Sequence, residues 1–267
     1  MTLDIGTILP TSTPDPARPI LGDVRAAARL AEEVGLDSVW STDHLLASAP
    51  ILESTGVVAT AAAVTDRIRV GYGVLLLALR PTAWAAKQVA TLQYLSGDRI
   101  LLGIGTGNPA HGDIGWRAAG QSFADRGRRT DEALAILPDL IAGRPATLPD
   151  GTEATLSPGA TVPPILVAGD APAALRRAAT YADGWIAMNP SPDELPSTTT
   201  RLADLAAERN RPTPAVTVVA ALPSDLSEAT DRTAAYVAAG AERVIIAPHS
   251  DDWRATYEFA AKVKSAL

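Results

Sequence analysis

Eight times along the chain, a short run of β-branched and aliphatic residues gives way to an alanine-rich stretch with helical spacing. The candidate strands are residues 3–9, 38–42, 67–77, 99–104, 165–168, 184–188, 215–221 and 243–247. Helices are expected over residues 23–34, 53–64, 81–95, 125–142, 172–181, 192–210 and 227–239, with one more closing the chain. In the first helix Val24, Ala28, Ala31 and Val34 fall on one face, and Gly35 stands where a C-cap belongs. Several strands are apolar almost throughout, the pattern of strands covered on both faces. Residues 143–163 break the rhythm with Pro, Gly and Thr, and Asp150-Gly151 reads as a hairpin turn. A doubly wound open sheet also alternates strands and helices, but rarely carries eight units without a separate second domain. The order therefore predicts a single (β/α)8 TIM barrel over residues 1–267.

Composition narrows the chemistry. There are no cysteines, which removes disulfides, thiolate metal sites and a cysteine nucleophile together. No two histidines have the i, i+4 spacing of a zinc helix, so no metal site is expected. A net charge of −7 opposes a nucleic-acid partner, whose phosphates the overall field would repel, although a local anion site stays compatible with it. The longest apolar runs are far too short to span a membrane. Met1 leads directly into a strand-like run without a basic leader, so cytoplasmic residence is expected.

In a barrel of this kind, the residues just past each strand line the face that carries the active site. Those positions are Pro10-Thr11, Asp43-His44, Gly73-Val74, Thr106-Gly107-Asn108, Gly169-Asp170, Asn189 and His249. His44 can exchange a proton near neutral pH, and Asp43 can orient the ring or a ligand; the plain alternative is a pair that caps a strand end. His249 and the loop-borne His111 have weaker claims. The run Gly103-Ile104-Gly105-Thr106-Gly107-Asn108 lacks the third glycine of a dinucleotide fingerprint and follows the fourth strand, so a Rossmann site is a poor reading. Its glycines can still bring backbone N–H groups close to an anion, or simply serve a tight turn that needs positive φ. Gly169-Asp170 precedes a helix whose N-terminus suits a phosphate, unless Asp170 caps that helix itself. Gly71-Tyr72-Gly73 inside an apolar strand marks a bulge or a close approach to the backbone. Arg126, Arg128, Arg129, Asp131 and Glu132 read as a solvated helix start, with an anion contact as the alternative.

Taken together, these segments resemble the bacterial luciferase-like monooxygenase superfamily of flavin- and deazaflavin-dependent oxidoreductases. The resemblance rests on the stretch from Gly35 through Trp40 to Asp43-His44, the stretch from Ala86 through Gln93 to Arg99, and the glycine run ending at Asn108. It also rests on the stretch from Phe123 to Glu132, and on Pro164 through Gly169 and Arg177 to Trp185. It implies a ring system held at the carboxyl ends of the strands, with Asp43-His44 beside the reactive ring. It further implies a strand-three bulge with a cis peptide at Gly73-Val74, and phosphate contacts from Thr106, Gly107 and Gly169. Asn108 falls where a glucose-6-phosphate dehydrogenase of the family carries a glutamate acid; an amide cannot replace that acid but can hydrogen-bond a substrate or ring.

The activity implied by the resemblance is that of an oxidoreductase using coenzyme F420 to pass a hydride to or from a small organic substrate, with His44 and Asn108 as catalytic residues. Asp43, Gly73, Val74, Thr106, Gly107, Gly169 and Asp170 are the cofactor-binding candidates. The alternatives are a monooxygenase using reduced FMN from a partner reductase, and a barrel that binds cofactor without catalysis. An F420 or flavin reductase is a conceivable partner, and the small-residue helices at Ala59–Ala63 and Ala83–Ala90 suggest a homodimer surface. Three departures stand out: a reduced insertion near the seventh strand, the charge of Asp170 where phosphate is expected, and no lysine clamp for a polyglutamate tail.

Overall fold

The structure, a computed structural model, describes residues 3–12, 22–47, 49–248 and 251–267. His249 lies outside them. The strands are β1 (Asp4–Ile8), β2 (Ser38–Ser41), β3 (Arg69–Leu76), β4 (Ile100–Gly105), β5 (Ala146–Thr147), β6 (Glu153–Ala154), β7 (Ile165–Ala168), β8 (Gly184–Met188), β9 (Ala215–Ala220) and β10 (Ala241–Ile246). Among the described residues, eight of them form a closed parallel barrel in the order β1-β10-β9-β8-β7-β4-β3-β2. The chain is thus a (β/α)8 barrel, and β5 and β6 stand apart as an antiparallel hairpin. Its turn contains Asp150-Gly151 as expected, with Gly151 at φ +86°.

The helices are α1 (Val24–Glu33), α2 (Ser54–Ala63), α3 (Thr82–Ser96), α4 (Ile114–Ala118), α5 (Arg126–Ile141), α6 (Pro172–Tyr181), α7 (Leu195–Ala207), α8 (Leu226–Ala238) and α9 (Trp253–Ala266). Local chemistry sets their ends. The Asp23 carboxylate accepts the N–H groups of Arg25 and Ala26 to start α1. Gly97, left-handed at φ 65°, stops α3. Residues 67–68, expected in the third strand, are instead a turn, because the Glu32 carboxylate at the end of α1 takes the N–H groups of Arg67 at 2.6 Å and Ile68 at 2.8 Å. Three pieces were not anticipated: a 3-10 turn at Leu77–Leu79, which takes Leu77 out of the expected third strand, a second 3-10 turn at Pro109–His111, and α4. The last two lie in the loop after β4.

Most of the core lies between barrel and helices, but a second cluster fills the lumen: Trp40, Leu101, Leu166, Ile186 and Ile245. Trp40 is its largest member, and its indole N–H donates to Ser38 Oγ at 3.0 Å. Ser38 Oγ in turn donates to Asp4 Oδ1 at 2.9 Å, and Arg243 Nε lies 2.9 Å from Asp4 Oδ2. This chain of contacts ties β2, β1 and β10 together beneath the indole. The Trp40 ring lies flat against Gly71 of β3, where a Cβ would collide with it. The glycine inside that strand is therefore a close approach. The bulge lies just beyond: Tyr72 pairs with Leu102 and Leu75 with Ile104, so β3 advances three residues against two.

Gly71→Ala is expected to destabilise the fold by about 1–3 kcal/mol through overpacking. Gly56→Ala in α2, where an added Cβ meets only Glu53 Oε2 at 3.5 Å, is expected to be neutral or stabilising. Urea denaturation of the two variants checks both signs.

Candidate functional site

At the carboxyl end of the barrel, the strand ends enclose a cavity of about 470 Å³, within the range of small-molecule sites. Its floor is the upper part of the lumen core, with Trp40 and Ile186 at the centre. Gly73 near the end of β3, and Gly105 and Gly107 at the end of the neighbouring β4, bring backbone rather than side chain to the wall.

Asp43, just past the end of β2, lines the cavity, but the residue is only 4% exposed and its carboxylate is fully engaged. Its Oδ1 accepts from Ser54 Oγ at 2.9 Å and Arg80 Nη2 at 3.0 Å. Its Oδ2 accepts from the Leu76 N–H at 2.8 Å and Arg80 Nη1 at 2.7 Å. Burial works against the Arg80 charge, yet the hydrogen bonds and charge of Asp43 hold its guanidinium above its ordinary value. The structure therefore gives the Asp43 carboxylate the work of anchoring β2 to the end of β3.

His44 is half-buried and faces the same cavity. Burial is the main reason its pKa lies below the ordinary histidine value; the charge of His111 adds to this, and Asp43 opposes it. His111 meets His44 edge to face, ring centroids 4.6 Å apart and planes at 62°. Sequence reasoning ranked His111 low. The available signal was Asn108-Pro109, a turn-forming pair that folds the next residues back toward the second strand.

From β4, Thr106, Gly107 and Asn108 all line the cavity. Gly107 takes φ +87° at the turn, the backbone role foreseen for at least one glycine of this run. Asn108 is exposed, and its side-chain oxygen accepts the Ala110 N–H at 3.0 Å, starting the 3-10 turn that carries His111. Gly73 and Val74 also line the cavity, and the peptide between them is cis.

The loop after β7 is less uniform. Gly169 lines the cavity, and its carbonyl accepts the Trp185 indole N–H at 2.8 Å. Asp170 is exposed and absent from the cavity wall. It does not cap α6 either: Ala171 is the N-cap residue, without a side-chain bond, and Pro172 opens the helix. Partial desolvation raises the Asp170 carboxyl, against a hydrogen bond from the Met188 backbone. Pro172 lacks an N–H, and the N–H groups of Ala174 and Leu175 donate to the Ala171 carbonyl. This helix start therefore offers a phosphate fewer donors than its sequence suggests.

The remaining candidates lie elsewhere. Asn189 accepts the Ala221 N–H at 3.1 Å, joining the ends of β8 and β9, and Thr11 is buried beside Leu52. In the charged start of α5, Arg128 pairs with Glu132 at 2.6 Å in solvent, and Arg177 of α6 pairs with Asp131. Arg126 stacks on Phe123 at 3.8 Å. None of these arginines lines the cavity. Among the described residues, no cluster of three or more His, Cys, Asp or Glu could hold a metal, and no helix is long and apolar enough to cross a membrane.

The chain matches the family model described as luciferase-like monooxygenase over residues 3–265. A protein of Mycobacterium tuberculosis described only as uncharacterized is 39% identical over 170 residues, covering 62% of this chain and 58% of that protein. The F420-dependent glucose-6-phosphate dehydrogenase of Beutenbergia cavernae is 34% identical over 211 residues, covering 71% of this chain and 60% of the relative. The matched part thus spans well under two thirds of the length of these curated relatives. An F420-dependent secondary alcohol dehydrogenase, solved with an F420-acetone adduct, superposes with a TM-score of 0.83 at 18% identity over 98% of both chains.

Replacing Arg80 with Met leaves the Asp43 carboxylate buried and uncompensated, at an expected cost of about 3–5 kcal/mol. Arg80→Lys is expected to recover only part of this, because an ammonium cannot make the two-pronged contact. Chemical denaturation of the two variants tests the order.

Proposed function

We propose a function from one premise: the chain belongs to the luciferase-like monooxygenase family. We read it as an oxidoreductase that uses coenzyme F420 and exchanges a hydride with a small organic substrate. The observation that carries the reading is the convergence of Asp43-His44, Gly73-Val74 and Thr106-Gly107-Asn108, from three strand ends, on one apolar cavity. The F420-dependent relative from Beutenbergia cavernae supports the choice of cofactor.

The cavity suits such a group. Its floor is apolar, and side chains on Gly105 or Gly107 would run into Val74 or Trp116, so these positions keep bare backbone toward the space. When bound, the deazaflavin supplies the hydride chemistry. The protein's part is placement and proton handling. Gly73 and Val74 would wall the ring, and the backbone at Thr106, Gly107 and Gly169 would hold the anionic tail. His44, mostly neutral near pH 7, accepts a proton from a bound hydroxyl or returns one to a developing alkoxide. Asn108 can hydrogen-bond a substrate oxygen but cannot supply a proton as an acid. Asp43 acts indirectly, fixing the backbone that presents His44. Asp170 has no position on the wall from which to contribute.

The described lining contains no lysine or arginine, and Met188, Leu45 and Leu46 stand exposed around its rim. That supports an uncharged alcohol or carbonyl compound over a phosphorylated one. Trp84, Tyr94 and Leu95 are exposed at 67%, 78% and 68% on α3, which supports pairing of two copies through that helix. Residence in the cytoplasm accords with this reading.

Titrating the protein into oxidised F420 is expected to quench the deazaflavin fluorescence saturably at micromolar concentration, and His44→Ala to reduce turnover at least about 100-fold with little change in binding. No quenching at high micromolar protein overturns the cofactor assignment. Oxygen uptake with free reduced FMN would replace it with the monooxygenase reading, in which a partner reductase supplies the flavin. Light scattering is expected to report a dimer that Trp84→Glu weakens.

A further inference from the structure

His44 follows β2 and His111 lies beyond β4, yet their rings touch, and both line the cavity and the narrow gap behind it. The gap is otherwise lined by uncharged residues, among them Leu45, Leu46, Leu79 and Trp116, so the β2 loop, the turn after β3, the β4 loop and α4 bring no charge into it. The charged groups nearby are accounted for. Asp43 is paired with Arg80, and Glu53 lies 3.8 Å beyond that guanidinium. Asp113 and Arg117 follow His111 and are exposed. Neither imidazole hydrogen-bonds to another described residue, so their nitrogens are available to the cavity.

Two imidazolium rings in this arrangement repel each other, so a proton on one ring makes the other less ready to take one. We propose that His44 and His111 act as one proton-sharing pair, in which His111 positions His44 and tunes its readiness to take the proton of a substrate hydroxyl. In that step the substrate O–H bond breaks, its electron pair stays on oxygen, and the proton joins the free nitrogen of neutral His44. A proton already on His111 disfavours the transfer, and a neutral His111 permits it. This fills the place that Asn108, as an amide, leaves open. The pairing rests on the oxidoreductase reading for its purpose, but not for its existence.

The test is a histidine-selective NMR titration of the cofactor-free protein. With 3 histidines in the chain, His44→Gln and His111→Gln assign the signals. The His44 midpoint is expected below the ordinary value of about 6.5, and His111→Gln is expected to raise it by about half a unit or more, roughly a threefold gain in proton affinity. His111→Phe, which keeps the ring contact without the charge, is expected to raise it similarly and guards against a folding defect in the glutamine variant. An unchanged His44 midpoint in both variants overturns the pair. In turnover assays, the acid limb of kcat/KM is expected to move with the His44 midpoint in both variants; a drop in rate with no movement of the limb assigns His111 a merely structural role and also overturns the proposal. Failure of the cofactor reading is separately visible, as absent fluorescence quenching beside an intact coupled titration.

Discussion

The contact between Asp43 and Arg80 is the joint on which the cavity depends. A carboxylate at 4% exposure would be costly alone, and here each oxygen takes two hydrogen bonds, from Arg80, Ser54 and the Leu76 backbone. Those donors come from the start of α2, the last residue of β3 and the residue after the following 3-10 turn. One side chain therefore fixes three segments around the mouth, and His44, the next residue, inherits its position from that clamp. A buried ion pair adds little net stability compared with apolar packing, so its value here is geometric.

Beneath this joint the barrel is packed solid, and the packing shapes the cavity floor. Trp40 fills the lumen because Gly71 makes room for its ring, and Ser38, Asp4 and Arg243 hold it from below. Above the indole, glycines on β3 and β4 leave bare backbone toward the cavity. The same strands thus build a rigid base at one end and an open slot at the other, with β3 changing register between them.

Polar side chains at the mouth divide into those spent on structure and those left free. Asp43, Asn108 through its oxygen, and Asn189 are committed to backbone or side-chain partners. His44 and His111 are not. Two imidazoles in contact are the groups that the proposed pair would use to exchange a proton.

Much of this was readable in the chain itself. Alternating strand and helix signals specified the barrel, because a run buried on both faces cannot serve as a surface strand. Strand ends then named part of the cavity wall, Asp43-His44, Gly73-Val74, Thr106-Gly107-Asn108 and Gly169, since in this architecture position after a strand dictates which face a residue joins. Contacts between residues far apart in the chain were beyond the reach of sequence alone. Arg80 lies 37 positions from Asp43, and nothing local marks it as that carboxylate's partner. Asp170 looked like a helix cap by position, but α6 begins at Pro172 and Ala171 takes the N-cap position, so Asp170 stands one residue outside and exposed. His111 seemed a loop residue until the turn begun by Asn108 laid it against His44. Periodicity and strand-end position are local properties, so the sequence by itself determined the fold and the face that carries the site. Which side chains on that face are neutralised and which stay free is set by long-range pairing, and only the closed barrel decided that.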